Sequence, residues 1–153
     1  ESGASVPGTI RIHRRQARFR GRGEHVRFSG GTGGQGWVIL MFVPGPADTE
    51  KVVLGEGGIA SGAPEGTVVV NMSTVDPGVN IRMGEALAPK GIDFVDAPVM
   101  GSPSGVEVGL LRSALGMALA KIRDVLLVLS GSEEKLFHIG PLGHGNKLKL
   151  LNI

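Results

Sequence analysis

The chain has 153 residues and a mass of 15.8 kDa, enough for one domain that buries roughly 68–70% of the surface its unfolded chain exposes. Apolar residues make up 41%, charged residues 20% and mean hydropathy is +0.16, which excludes whole-chain disorder. Cysteine is absent, which excludes a disulfide framework, thiolate metal sites and thiol catalysis, and a reducing, cytoplasmic compartment is expected.

The formal charge of +2 is unevenly placed. Residues 1–27 hold seven arginines against Glu1 and Glu24, a net +5, whereas residues 28–153 carry a net −3. Residues 1–36 therefore read as a basic, Arg/Gly-rich segment that is expected to be poorly ordered. Arginine pairs bidentately with phosphate, so the arm 11–27 raises nucleic-acid binding on a catalytically silent α/β body as an alternative function. That alternative ranks second, because Phe19 is the arm's single aromatic for stacking bases and the bias is not repeated downstream.

From Trp37 onward, short β-type runs alternate with helix-type stretches, the pattern of an α/β fold with a mostly parallel sheet. The run Trp37 to Val43 is apolar on both faces, as a buried parallel strand requires, and Pro44 stops it. It is far shorter than the roughly 20 residues of a membrane helix, so no membrane association is expected. A short helix is predicted from about Ala47 to Leu54, ending at Gly55, and Gly55 to Gly66 reads as a loop. Thr67 to Met72 is a second buried strand. Asp76 and Pro77 suit the cap and first turn of a helix reaching about Lys90. Ile92 to Val95 forms a third strand, leading into a Gly/Pro/Ser-rich loop from Ala97 to Gly109. Apolar side chains at 111, 114, 115, 118, 122, 125, 126 and 129 make a helical stripe. Lys135 to Ile139 is predicted as a last strand, Gly140 to Gly145 as a turn, and Asn146 as the cap of a helix running to Ile153. No internal repeat is found.

Three familiar patterns fail on context. Gly31 to Gly36 spells G-x-G-x-x-G, but a β-type run follows where a phosphate-binding loop needs a helix N-terminus. Gly101 to Gly105 has Pro103 where a hydrolase elbow places its serine. His13, His25, His138 and His144 lack ligand spacing, so no metal site is expected.

Three segments in order carry more: Asn71-Met-Ser-Thr74, Asp96-Ala-Pro-Val-Met-Gly-Ser102, and Gly143-His-Gly-Asn-Lys-Leu-Lys149-Leu-Leu-Asn152. Together they resemble the β-hydroxyacid dehydrogenases, the family of 3-hydroxyisobutyrate dehydrogenase, tartronate semialdehyde reductase and, more distantly, 6-phosphogluconate dehydrogenase. The family pattern is D-A-P-V-S-G-G at a strand end and, further on, G-x-G-x-x-x-K-x-x-N-N. The resemblance implies a Rossmann-like dinucleotide-binding domain, with residues 37–145 as its second part and 146–153 as the start of an interdomain helix. It implies NAD or NADP as cofactor, contacted by Val43, Pro44 and Thr74, and a small 3-hydroxy acid as substrate, contacted by Met100, Gly101, Ser102 and Asn152. Lys149 stands where the family's catalytic lysine stands. In a partly apolar cleft such a lysine takes the hydroxyl proton as hydride leaves and returns it in reduction. Lys147, two residues away, is assigned to solvent or cofactor phosphate, and Asp96 and Ser73 to structural hydrogen bonds. Trp37, the sole tryptophan, is expected to report cofactor binding by its fluorescence.

The sequence also departs from the family. The G-L-G-x-M-G fingerprint has no counterpart upstream of Trp37, and Met100 and Ser102 replace the usual serine and glycine. Ile153 replaces the second asparagine, and a C-terminal helical domain like the one through which the family forms homo-oligomers is not expected within these 153 residues. The expectation for these 153 residues alone is weak cofactor binding and negligible dehydrogenase activity.

Overall fold

The computed structural model describes residues 37–100, 107–108, 122–123, 125–127, 134 and 136–151. The basic arm, the glycine string at 31–36 and the Gly101–Gly105 pattern lie outside them. Three short strands, β1 (Val38–Met41), β2 (Val68–Asn71) and β3 (Asp93–Asp96), form a parallel sheet in that spatial order. β1 (Val-Ile-Leu-Met) and the first three residues of β2 (Val-Val-Val) are continuous apolar runs, and β3 places Phe94 and Val95 on opposite faces between two aspartates, so both faces of the sheet must be covered. The register aligns Met41, Asn71 and Asp96 in one row across the carboxyl ends of the strands.

Side chains alternate between the faces with the strand period of two. On one face Ile39, Met41, Val69 and Phe94 pack with Val53, Ile59, Val79, Met83 and Leu87. These come from helices α1 (Pro46–Leu54), α2 (Ile59–Gly62) and α3 (Pro77–Leu87). On the other face Val38, Val68, Val70 and Val95 pack with Ile122, Val125 and Leu126. The last three have helical backbone and are the described part of the stripe expected between Leu111 and Leu129.

Helix α1 starts one residue before its expected position, with Pro46 in the first turn and Gly45 as its cap. Asp76 caps α3, its carboxylate accepting the Gly78 N–H at 2.8 Å. The helix gives way at Ala88–Lys90 to a 3-10 turn, because Pro89 has no N–H to continue the α-helical ladder.

Four local expectations are corrected. The loop 55–66 contains α2, held by fully buried Ile59, a single apolar anchor too isolated to show a period. The loop 97–109 contains strands β4 (Val99–Met100) and β5 (Glu107–Val108), an antiparallel pair too short for alternation to register. Residues 136–139 are not a strand: Phe137 and Ile139 are exposed, and Leu136 packs against the second core face. Asn146 is not a cap, because helix α4 (His144–Leu151) begins two residues earlier. Among the described residues no helix is long and apolar enough to cross a membrane.

Candidate active site at the strand ends

Ligands of parallel α/β sheets bind where the strands end and the chain turns away. Here that edge is laced by buried polar side chains. The Val43 N–H donates to Ser73 Oγ at 2.8 Å, joining the turn after β1 to the turn after β2. The Ser73 N–H donates to Asn71 Oδ1 at 3.0 Å, and Asn71 Nδ2 donates to Asn80 Oδ1 on α3 at 2.8 Å. Asn71, Ser73 and Asn80 are all buried, so the pairing is what makes them tolerable in a core. Asn80 Nδ2 alone has no partner among the described residues. The network leaves Thr74 and Pro44 exposed and Val43 half-buried on adjacent strand ends.

Asp96 ends β3, and its side chain meets the start of α4. Its Oδ1 accepts the Gly143 N–H at 2.8 Å, and its Oδ2 accepts the Asn146 N–H at 2.8 Å and Asn146 Nδ2 at 3.4 Å. A helix N-terminus has free N–H groups and the positive end of the macrodipole, so a carboxylate there is favourable. Burial nevertheless wins: it pushes the Asp96 carboxyl above the ordinary aspartate value, and the donors from Asn146 and Gly143 offset this only in part. Asn146 Oδ1 turns the other way and accepts the Val75 N–H at 2.9 Å.

Two glycines make this contact possible. Gly143 has φ +90, a left-handed conformation that side chains strain to adopt, and this aims its N–H at Asp96. A Cβ on Gly145 would lie 2.9 Å from the Asp96 carbonyl oxygen and 3.0 Å from Pro98 Cδ, so only glycine lets α4 approach this closely.

Lys149 lies one helical turn beyond Asn146 and is half-buried, with no hydrogen bond or ion pair to the described residues. Lys147 is exposed. Met100 falls on the backbone of β4, whereas Gly101, Ser102 and Asn152 lie outside the described residues. The edge therefore brings Val43, Pro44, Thr74 and the helix of Lys149 into one linked arrangement. Trp37 sits at the other end of β1, its N–H on Thr67 Oγ1, about 20 Å of extended chain from Val43. Its fluorescence is therefore no contact reporter for this edge. The buried links Asn71, Asn80 and Asn146 went unassigned as site-builders in the sequence. An asparagine closing an all-apolar strand, as in Val68-Val-Val-Asn71, is the signal that could have pointed to the first. Among the described residues no group of three or more His, Asp or Glu could hold a metal ion.

A nicotinamide ring needs apolar surface beside a hydrogen-bonding group. Exposed Pro44, half-buried Val43 and exposed Thr74 at neighbouring strand ends fit that need.

The fold and its polar strand-end edge thus define a Rossmann-like dinucleotide-binding unit. The family model described as the NAD binding domain of 6-phosphogluconate dehydrogenase matches residues 29–140, and the chain belongs to this β-hydroxyacid dehydrogenase family. It is 37% identical over 115 residues to 2-(hydroxymethyl)glutarate dehydrogenase of Eubacterium barkeri, covering 75% of this chain and 38% of that enzyme. It is 28% identical over 115 residues to 3-hydroxyisobutyrate dehydrogenase of Pseudomonas aeruginosa, covering 75% and 39%. A solved structure, Psf3 in complex with NADP+ and 2-OPP, shares the fold with a TM-score of 0.68 at 22% identity, covering 75% of this chain and 41% of that one. The chain spans about two-fifths of the length of the relatives it matches.

Proposed function

We propose that this chain is part of an NAD(P)-dependent dehydrogenase acting on a small 3-hydroxy acid, with Lys149 as general acid and base. The observation that carries the reading is the junction at Asn146, which joins the turn bearing Thr74, the strand end before the loop 98–102, and the helix bearing Lys149. Those are the three segments through which the sequence resembles the family.

Val43, Pro44 and Thr74 would hold the nicotinamide end of NAD or NADP, which supplies the hydride acceptor or donor. The substrate carboxylate would lie against the N–H groups of Met100, Gly101 and Ser102, an arrangement that glycine permits by letting the backbone come close. Lys149 Nζ takes the substrate's hydroxyl proton as the carbinol carbon becomes a carbonyl, and returns it in the reverse direction. Asn152, three residues beyond Lys149 in the sequence, would orient the substrate. Dinucleotide domains bind at a crevice that other segments close, and exclusion of water there strengthens every electrostatic contact.

In the native full-length protein, Lys149→Ala is expected to lower kcat by about 10²–10⁴-fold while cofactor affinity stays within a few-fold. Unchanged turnover in that variant would remove Lys149 from the reaction.

A further inference from the structure

We infer that Asn146 is a positioning residue for this reaction, its amide fastening helix α4 to the turn at Val75 and to the strand end at Asp96 and so fixing where Lys149 stands. The inference deepens the function proposed above and rests on it.

Helix α4 has no fully buried apolar side chain, and Leu148 is its one half-buried leucine. Its buried residues are Gly145 and Asn146, while Leu150 and Leu151 are exposed, Leu151 at 84%. An amphipathic helix is normally located by its apolar stripe. This one is located, among the described residues, by Leu142 packed on the core just before it and by polar contacts at its first turn.

Those contacts use both halves of one amide. Oδ1 accepts from Val75, 71 residues away in sequence, while the backbone N–H and Nδ2 both donate to Asp96, 50 residues away. An aspartate at this position would lack the side-chain donor, and a leucine would lack donor and acceptor alike. Gly145 sets the distance of approach, because a Cβ there would come within 2.9 Å of the Asp96 carbonyl oxygen.

Tether and floor act together with the Gly143 N–H bond to Asp96 and the packing of Leu142 to hold the start of α4. Lys149 follows Asn146 by three residues, about 4.5 Å along the axis, and no described partner holds its side chain. Its location is therefore inherited from the tether. The same bond reaches Val75, directly after Thr74, so the lysine and the cofactor-side turn are set relative to each other. Misplacement by about 1 Å is enough to cost a reaction some 10²-fold.

The test compares Asn146→Ala, Gly145→Ala and Lys149→Ala in the native full-length protein, with kcat, KM and NAD(P)H affinity measured per folded enzyme. Asn146→Ala is expected to lower kcat about 10–100-fold with KM and cofactor affinity within threefold. Gly145→Ala keeps every hydrogen-bonding group and displaces the helix by a few tenths of an ångström, so a smaller fall in kcat is expected. It also carries the test if Asn146→Ala does not fold. A second readout is independent of turnover: the 13C-methyl resonance of reductively methylated Lys149, assigned through Lys149→Arg. It should shift in both variants, whereas a purely stabilising role for Asn146 would leave it in place. If Lys149→Ala abolishes turnover but the two neighbouring variants keep kcat within twofold, the positioning role is overturned and the proposed function stands. If Lys149→Ala has no effect, the proposed function falls, and the resonance alone decides whether the tether places Lys149.

Discussion

Along β2 the packing changes character between Val70 and Asn71. Through Val68, Val69 and Val70 the neighbours on both sides of the sheet are aliphatic or aromatic, and any cluster of suitable volume would fill the same space. One row later the sheet presents Met41, Asn71 and Asp96, and the last two are fully buried polar groups. Each of these must be paired in a particular direction, so the row specifies the paths of the chain beyond it in a way that valines cannot. The interior supplies stability, and the strand-end edge supplies position.

Substitutions should separate the two roles. The largest effect on stability belongs to the interior: Leu87→Ala, at a site with no exposed surface, should cost about 2–5 kcal/mol in urea unfolding and leave cofactor affinity of the folded fraction unchanged. A cost under 1 kcal/mol would show that α3 is held elsewhere.

A smaller and pH-dependent effect is expected at the edge. An acid whose folded pKa lies above its unfolded one binds its proton more readily when folded. The stability this contributes is complete below the unfolded pKa, about 3.9, and is lost as pH rises through the folded pKa. Burial raises the Asp96 carboxyl in this way. The stability of the wild type minus that of Asp96→Asn should therefore fall as pH rises from about 4, when measured by chemical denaturation at each pH. A difference that rises with pH would mean that the N–H donors outweigh burial.

The smallest effect is expected on the surface, where Arg82 and Glu50 pair at 2.8 Å with both side chains about half exposed. Water and salt screen such a pair, so Arg82→Ala should cost about 0.2–1 kcal/mol, less at high salt. A salt-independent loss above 2 kcal/mol would contradict its reading as a solvated contact between α1 and α3.

The same division explains what was legible in the sequence. Strands β1 and β2 and helices α1 and α3 follow from continuous apolar runs, a Pro stop, and the Asp76-Pro77 start, and β3 from the Phe94-Val95 pair, because burial and capping are local and leave a pattern. The ladder of β4 and β5 and the one-turn helix at Ile59 are too short to leave one. The residues 135–139 mislead in the opposite sense, having strand composition without a described sheet edge to pair with. At this edge, Thr74, Asp96 and Lys149 are singled out by motif order alone. The partnership of Asp96 with Asn146 is not, since it joins residues 50 apart in sequence and depends on two glycines whose use is visible only in three dimensions. Asn146 has the composition of a helix cap and is used as a tether between segments.

The claim that the strand-end edge receives the dinucleotide is tested most directly by titrating the 15N-labelled 153-residue chain with NADPH and NADH and following backbone amide resonances. Shifts are expected to concentrate at Val43, Thr74 and Val75 and to extend into α4 through Asn146, while Thr67 and Trp37 at the opposite end of the sheet stay in place. Shifts centred on Trp37 and Thr67, or none at millimolar cofactor, would contradict the claim.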